Sequence, residues 1–197
     1  MKIFGDLASG NCLKVKYTAD YLRLPYTWLH VDIMQAETHT PQFLAKFPLG
    51  RIPAVEFDDG RHLAESNAII RYLARSSPLL PDDAFVQAKI DELLFWEQYS
   101  HEPYIATTRY QMVYLKRSLQ QREAWRVERG EAALDLMEQM LAERRWLVGE
   151  AITIADVALL PYTRLAHQAG FDLTARGNLG RWIARCEDTL GLGPAVR

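Results

Sequence analysis

The stretch GRIPAVEFDDGRHLAESNAIIRYLA, residues 50–74, decides the fold of the first half of the chain. Its part IPAVEFDDGRHLAES predicts two strands joined at Asp59-Gly60, because glycine tolerates the positive φ that a tight hairpin turn requires. The part NAIIRYLA then predicts a helix that directly follows the second strand. The stretch therefore predicts a strand-turn-strand-helix unit.

The residues before this stretch predict a second unit with parallel strands. KIFG at 2–5 and YTWLHVDI at 26–33 are rich in β-branched and aromatic residues and predict two strands. Between them a helix is predicted from apolar residues at spacings of three and four, namely Cys12, Val15, Ala19 and Leu22. A short helix is predicted around TPQFLAKF at 40–47. The first half is thus expected to be βαβ-α-ββα, a small mixed sheet with helices on its faces.

The second half has a different pattern. The proline-rich SSPLLPDD predicts a linker, placed at 77–84, between a first domain over 1–76 and an all-helical domain over 85–197. In the helical half, Thr153 and Asp156 form a capping-box signature, and Pro103 is expected to interrupt the first long helix. Four tryptophans of this half are assigned to its core: Trp96, Trp125, Trp146 and Trp182. The fold class is therefore α+β followed by all-α.

Composition excludes several classes of function. Charged residues make up 24% of the 197 residues and the net formal charge is −2, so no excess of basic charge indicates a nucleic-acid partner. The chain shows neither the apolar run of a signal peptide nor about 20 apolar residues for a membrane helix, which favours a cytoplasmic location. Two distant cysteines and five scattered histidines predict neither a disulfide framework nor a metal site.

The stretch SGNC, Ser9 to Cys12, lies between the first strand and the first helix, where thioredoxin-like redox proteins carry Cys-x-x-Cys. It predicts either a disulfide reductase with serine in place of the first cysteine, or a site that activates a thiol belonging to a ligand. Cys12 shares a helix face with Val15 and Ala19, so we expect it to pack as a small apolar group. The ligand would then supply the reactive sulfur.

Two further pairs predict a binding site. Pro53 is expected at a strand start or edge, as an ordinary trans proline or as a cis bond that leaves the backbone groups of Ile52 open to an extended peptide. Ser66 is expected to cap the next helix, whose N-terminus favours a carboxylate, while Glu65 could pair with an ammonium group. The second pair thus suits the α-amino-acid end of a ligand, or is a plain cap beside a solvated acid.

Together SGN, the stretch 50–74 and ITIADVALLPY at 152–162 resemble the soluble glutathione transferases, over essentially the whole chain. The resemblance implies a thioredoxin-like N-terminal domain with cis-Pro53, an all-helical C-terminal domain, usually a homodimer, and glutathione as co-substrate without a metal. It implies that the backbone of Ile52 pairs with the cysteinyl part of glutathione. Glu65 and Ser66 would hold its γ-glutamyl end.

The resemblance also implies which groups activate the thiol. Ser9 falls where serine-type members carry the hydroxyl that hydrogen-bonds the glutathione sulfur, and Asn11 falls where some bacterial members use asparagine. Gly10 stands where cysteine-type members carry their working cysteine. His39 is a neighbour of a position where insect members have histidine, and Arg51 is expected to reach the glycyl carboxylate.

An electrophile is expected between the domains, against a surface of aromatic groups and cations. The candidate residues are Tyr99, Tyr104, Thr108, Arg109, Met112, Tyr162 and Arg164. The function expected first is transfer of the glutathione thiolate to small, largely apolar electrophiles. The alternatives are glutathione-dependent disulfide or peroxide reduction, and a non-catalytic interaction module of the same fold.

Overall fold

The computed structural model describes residues 1–194 of the chain. Its first half contains four strands and three helices in the predicted βαβ-α-ββα order. The strands are β1 (Lys2–Gly5), β2 (Thr27–His30), β3 (Ala54–Glu56) and β4 (His62–Ala64). The helices are α1 (Gly10–Tyr21), α2 (Pro41–Lys46) and α3 (Ser66–Leu73). The fold class predicted for this half is confirmed.

The strands form one mixed sheet in the order β2-β1-β3-β4. β1 pairs with β2 in parallel, as a strand-helix-strand unit requires, whereas β1–β3 and β3–β4 are antiparallel. Gly60 has φ +83° in the hairpin between β3 and β4. This is the positive φ that the sequence predicted at this turn, and glycine adopts it readily. Phe43 and Phe47 of the α2 region pack with Phe4 on one face of the sheet.

The second half is helical. Its helices are α4 (Ala84–Trp96), α5 (Glu102–Val113), α6 (Ala124–Met140), α7 (Ile154–Arg164) and α8 (Gly177–Thr189). A π-helical turn at Glu97–His101 interrupts the ladder between α4 and α5, just before Pro103 in the first turn of α5. Proline lacks an N–H and clashes with the carbonyl one turn earlier, so the interruption occurs where the sequence predicts it.

The chain divides into two compact units, Met1–Leu80 and Pro81–Arg197. This division falls within the segment 77–84, for which the sequence predicts a linker. The last three residues of the predicted helical domain, 195–197, lie outside the described residues. No helix within residues 1–194 has the length and apolar character needed to span a membrane.

Two local predictions in the helical unit have different outcomes. The capping box at the start of α7 is confirmed, since Thr153 N–H donates to Asp156 Oδ2 at 2.9 Å and the Thr153 hydroxyl accepts from the first turn. The assignment of Trp125 to the core is wrong, because its side chain is 48% exposed near the start of α6. Trp125 instead packs edge-on against Tyr104, with the guanidinium of Arg126 over its ring.

Candidate functional site

Three chain junctions meet at one end of the sheet in the first unit. Phe4 of β1 pairs with Ala54 of β3, and Ala54 pairs with Ala64 of β4. The loop to α1 follows Phe4 in sequence, the Ile52–Pro53 pair precedes Ala54, and the start of α3 follows Ala64. The register therefore places all three junctions at the same end of neighbouring strands.

Ser9 forms the start of α1. Its backbone is extended at φ −84° and ψ 121°, and its Oγ accepts the N–H of Cys12 at 3.4 Å, which makes it the N-cap. The first turn of α1 contains no acidic side chain to offset the positive end of the helix dipole, although the charge of Asp6, just before this turn, acts to raise the pKa of the Cys12 thiol. A negatively charged sulfur would be favoured at this helix end.

The start of α3 differs from the prediction by one residue. Glu65, not Ser66, occupies the N-cap position, with φ +70° and ψ 112° and no capping hydrogen bond from its side chain. Its carboxylate is exposed and bonds to no other group within residues 1–194. Ser66 is the first helical residue, and its hydroxyl donates to Asn11 Oδ1 at 3.2 Å.

The Asn11–Ser66 bond joins the start of α1 to the start of α3 across 55 residues of sequence. With Oδ1 of Asn11 accepting from Ser66, the hydrogen-bond donors of Asn11 are on Nδ2. Ser9 and Asn11 are predicted to activate a thiol. Glu65 and Ser66 are predicted to bind an amino-acid end. The Asn11–Ser66 bond brings these two pairs of residues together.

The Ile52–Pro53 peptide bond is cis, as the family resemblance implies. Within residues 1–194, the backbone N–H and C=O of Ile52 make no hydrogen bond. These groups lie at the entrance to β3 and are available to an extended peptide.

A loop residue places two further candidates near Ile52. Gly50 has φ +59°, and a Cβ atom there would lie 3.5 Å from His39 Nε2. His39 is exposed, and its Nδ1 is 2.9 Å from the hydroxyl of buried Thr38. Arg51 is exposed on the same loop. The structure therefore brings His39 to the loop that carries Arg51 and Ile52.

Sequence reasoning missed Lys14, which is fully buried on α1. Its Nζ lies 3.3 Å from Asn67 Oδ1 in the first turn of α3, and Thr18 donates to its carbonyl at 2.9 Å. A signal was present, since Asn11, Lys14 and Thr18 recur at the spacing of one helix face. Lys14 helps to hold α1 against the start of α3.

Cys12 is fully buried, as its position on the apolar face predicts. Burial raises the pKa of its thiol to about 11, although the Ser9 side chain and the Asp6 N–H act in the opposite direction. A thiol with this pKa is protonated at neutral pH and is a poor nucleophile. Burial likewise raises the pKa of Cys186 well above its ordinary value.

The electrophile candidates lie in the helical unit, in several environments. Tyr99 is 82% exposed, whereas Thr108, Arg109 and Tyr162 are buried. Tyr104 accepts from Arg129 at 3.1 Å and Arg109 donates to Gln168 at 2.8 Å. Met112 is half-buried, and Arg164 forms an ion pair with Glu187 at 2.8 Å. A role for these residues with an electrophile stays a prediction.

Within residues 1–194, no three histidine, cysteine, aspartate or glutamate side chains are grouped as a metal ion would need. The two cysteines are free thiols. The candidate site therefore consists of hydroxyl, amide, carboxylate, imidazole and guanidinium side chains, open backbone groups and two helix N-termini.

Comparison with known proteins finds a family that matches both halves of the chain. Residues 8–76 match the family model for the glutathione S-transferase N-terminal domain, and residues 119–185 match the model for its C-terminal domain. A solved glutathione S-transferase from Pseudomonas fluorescens Pf-5 is 44% identical, covers 94% of each chain and superimposes with a TM-score of 0.91.

Two curated relatives are similar over part of their length. A glutathione S-transferase-like protein, LUC7, from Fusarium is 39% identical over 61% of this chain and 57% of its own length. Elongation factor 1-gamma from Drosophila melanogaster is 32% identical over 72% of this chain and 33% of its own length. The chain thus spans between one third and three fifths of these two proteins.

Proposed function

The chain belongs to the glutathione S-transferase family, and we propose that it binds glutathione and transfers its thiolate to small, largely apolar electrophiles. The observation that carries this proposal is the Asn11–Ser66 bond of 3.2 Å. It joins the helix start that would activate a thiol to the helix start that would hold an amino-acid end.

In the proposed binding mode, each group of the site binds a different part of glutathione. The Glu65 carboxylate pairs with the ammonium of the γ-glutamyl end, and the N–H groups at the start of α3, beginning at Ser66, receive its carboxylate. The backbone N–H and C=O of Ile52 pair with the cysteinyl residue, as in an added strand. Arg51 and His39 attract the glycyl carboxylate.

The proposed catalytic role of the protein is to favour the thiolate of the ligand. A free thiol has a pKa of about 8.5 and is mostly protonated at pH 7. Lowering that pKa by about two units requires about 2.7 kcal/mol. The Ser9 hydroxyl, the Asn11 amide and the positive end of α1 can together supply this, since a hydrogen bond to a charged group contributes about 1.5–3 kcal/mol.

Activated glutathione then attacks the electrophile. The sulfur forms a bond to the electrophilic carbon while the leaving group departs, or while a double bond accepts the electron pair. Cys12 takes no part in this step, because its thiol is buried and protonated. The aromatic candidates in the helical unit, Tyr99 and Tyr104, favour an apolar electrophile.

The test is a four-protein comparison of wild type, Ser9→Ala, Asn11→Ala and the double variant. Ultraviolet absorbance of bound thiolate against pH gives the pKa of glutathione, and an activated aryl chloride reports turnover. Ser9→Ala should lower turnover about tenfold and raise the thiolate pKa, since one donor to the sulfur is lost. The double variant should lose more than either single variant.

Cys12→Ala is the control, because it changes a side chain at the same helix start and keeps both the Ser9 hydroxyl and the Asn11 amide. It should keep most of the activity and show its effect on stability. If the thiolate pKa rises in Cys12→Ala but not in the double variant, Cys12 is the working residue and the proposal is wrong. Glutathione at millimolar concentration should also raise the melting temperature of the wild type.

Two other functions have specific support. The placement of Asn11 beside Ser9 at a helix N-terminus also suits glutathione-dependent reduction of disulfides or peroxides. The similarity to an elongation factor supports a binding module. A panel of electrophiles, disulfides and peroxides with glutathione separates the three. Turnover of disulfides or peroxides but not of electrophiles favours reduction, and glutathione binding without any turnover favours a module.

A further inference from the structure

The helical unit carries four arginines on one part of its surface. Arg144 and Arg145 lie in the connection that follows α6, and Arg181 and Arg185 lie on α8. The guanidinium of Arg185 donates through Nε and Nη2 to the carbonyl of Arg145, at 3.2 and 2.6 Å, and this joins two segments 40 residues apart in sequence. These four residues are called the arginine patch below.

Two side chains of the arginine patch are held in place by neutral groups. The guanidinium carbon of Arg185 lies 5.8 Å from the ring centroid of buried Trp146. Arg181, one helical turn earlier, donates through Nη2 to Asn178 Oδ1. A guanidinium has five N–H groups, so most of those on Arg181 and Arg185 make no hydrogen bond within residues 1–194. The two side chains are therefore ordered and still have donors for a ligand.

The arginine patch differs from the other arginines around α8 in its lack of acids. Arg164 of α7 pairs with Glu187 of α8 at 2.8 Å, and Arg176, just before α8, pairs with Glu131 at 2.6 Å. In contrast, no carboxylate of residues 1–194 forms an ion pair with any member of the arginine patch. Two of its members are four residues apart on α8, a spacing at which like charges destabilise a helix. An anion from outside the chain would remove this repulsion.

The surroundings of the arginine patch limit the anion that it fits. The exposed acids Glu143, Glu150 and Asp188 follow or precede its members closely in sequence. Their charges oppose a long polyanion such as a nucleic acid, which would extend beyond the four arginines. Within residues 1–194, the exposed large hydrophobic side chains all lie outside 142–150 and 177–190, so the patch has no apolar anchor for a lipid surface. A short anionic segment fits it best.

The spacing of the two arginines on α8 suits carboxylates. Side chains four residues apart on a helix have Cβ atoms about 5–6 Å apart. Acidic residues at alternate positions of an extended chain are about 6.6 Å apart, since each residue advances the chain by about 3.3 Å. A guanidinium binds a carboxylate through two parallel N–H···O bonds. Arg181 and Arg185 can thus each receive one acidic side chain of an extended segment.

We propose that the arginine patch binds a short acidic segment of a partner protein, with one carboxylate on Arg181, one on Arg185 and further acidic side chains beside Arg144 and Arg145. The site lies within the helical unit and does not depend on glutathione. Saturating glutathione should therefore leave the binding of such a segment unchanged.

The experiment uses the whole chain and a hexaglutamate peptide with blocked ends as the probe. Backbone amide shifts in ¹⁵N-labelled protein locate the peptide, and their titration gives its dissociation constant. The patch variant combines Arg181→Gln with Arg185→Gln. The charge-matched control combines Lys116→Gln with Arg117→Gln, which are two exposed cations in the connection between α5 and α6. Hexaglutamine tests whether the carboxylates are needed.

A second variant removes a charge without a loss of internal contacts. The side chain of Arg144 makes no hydrogen bond or ion pair within residues 1–194, so Arg144→Gln should keep the fold even if the loss of the Trp146 contact destabilises the patch variant. Circular dichroism shows whether each variant is folded.

The proposal expects amide shifts at residues 142–147 and 178–188. The patch variant should weaken hexaglutamate binding by about fivefold to tenfold and Arg144→Gln by about twofold, as expected for exposed ion pairs. The control variant should bind as the wild type does, and added salt should weaken binding.

Shifts centred elsewhere, equal binding by the patch variant and the control, or equal binding of hexaglutamine would each overturn the proposal. So would a short DNA duplex, or vesicles that contain an anionic lipid, if either binds at the arginine patch more tightly than hexaglutamate does. The partner would then be a nucleic acid or a membrane.

Discussion

The helices α7 and α3 start in opposite ways. At the start of α7, Asp156 is fully buried and its carboxylate accepts from Thr153 N–H at 2.9 Å, Leu147 N–H at 3.0 Å and Trp182 Nε1 at 2.8 Å. At the start of α3, the Glu65 carboxylate is exposed and caps nothing, and the backbone of this residue has φ +70°.

The difference distinguishes a structural helix start from one for which a ligand is proposed. At the start of α7, the Asp156 carboxylate accepts its hydrogen bonds from within the protein, so it stabilises the fold and is not available to a ligand. At the start of α3, the Glu65 carboxylate makes no bond within residues 1–194, and Glu65 has a backbone conformation that costs about 1–3 kcal/mol, so we expect this helix start to receive a ligand. Substitutions should therefore change stability at α7 and glutathione affinity at α3.

The largest effect is expected for Asp156→Ala. This change leaves the indole N–H of Trp182 and the backbone N–H groups of Leu147 and Thr153 without their acceptor inside the protein. We expect the free energy of unfolding to fall by about 3–5 kcal/mol, as for a broken buried charged network. Urea denaturation followed by circular dichroism measures it.

Thr153→Ala provides the reference for that measurement, because it removes the cap hydroxyl and keeps the carboxylate. It should cost about 0.5–2 kcal/mol, which is the range for a lost N-cap. A loss for Asp156→Ala no greater than that for Thr153→Ala would contradict the view that the buried carboxylate organises this helix start.

The next effect is expected at α3, in glutathione affinity. Glu65→Ala and Ser66→Ala should each weaken binding by about 1–3 kcal/mol, because each leaves a charged group of the ligand poorly paired. Isothermal titration calorimetry gives the affinity, and denaturation of the same samples gives the stability.

A cap elsewhere serves as the control for these two variants. Asp83 caps α4 by accepting from Val86 N–H at 2.8 Å, and Asp83→Ala should lower stability by about 1 kcal/mol without changing affinity. If both α3 variants bind glutathione as tightly as Asp83→Ala does, the γ-glutamyl end is held elsewhere.

A smaller effect isolates the backbone conformation of Glu65. Glu65→Gly and Glu65→Ala both remove the carboxylate, but only glycine adopts φ +70° without a steric penalty. The glycine variant should be more stable than the alanine variant by about 1 kcal/mol. This is the net difference that remains after the relief of strain is reduced by the greater flexibility of glycine in the unfolded chain. Equal melting temperatures would show that the helix start relaxes in the alanine variant.

The smallest effect concerns pH and the exposed ion pairs of the sheet. Glu56 accepts from Lys2 at 2.8 Å and is also paired with Lys46, and these hydrogen bonds lower the pKa of Glu56 from 4.5 to about 2. Because the folded pKa is below the unfolded one, the stabilisation is present above about pH 4.5 and is lost as the pH falls towards 2.

Glu56→Gln is the variant that reports this contribution. The stability difference between wild type and Glu56→Gln should shrink between pH 4.5 and pH 2, and added salt should reduce it at pH 7. A difference that stays constant over this pH range would show that the ion pairs contribute nothing.

Local signals were sufficient for most of the fold. The Asp59-Gly60 turn, the Thr153–Asp156 box and the interruption before Pro103 each depend on residues within about one helical turn or one hairpin. The family resemblance supplied the cis bond before Pro53, which residue preferences alone disfavour. For these features, the residues that cause the structure are also neighbours in the chain.

The sequence by itself determined the order of the elements and the residue types at the candidate site. Only the tertiary structure decided that Glu65 and not Ser66 caps α3, that Lys14 is buried beside Asn67, and that Trp125 lies at the surface. The Asn11–Ser66 bond shows the reason, because it joins groups 55 residues apart. Such a contact depends on how strands pair and helices pack, and neither partner carries a local signal of the other.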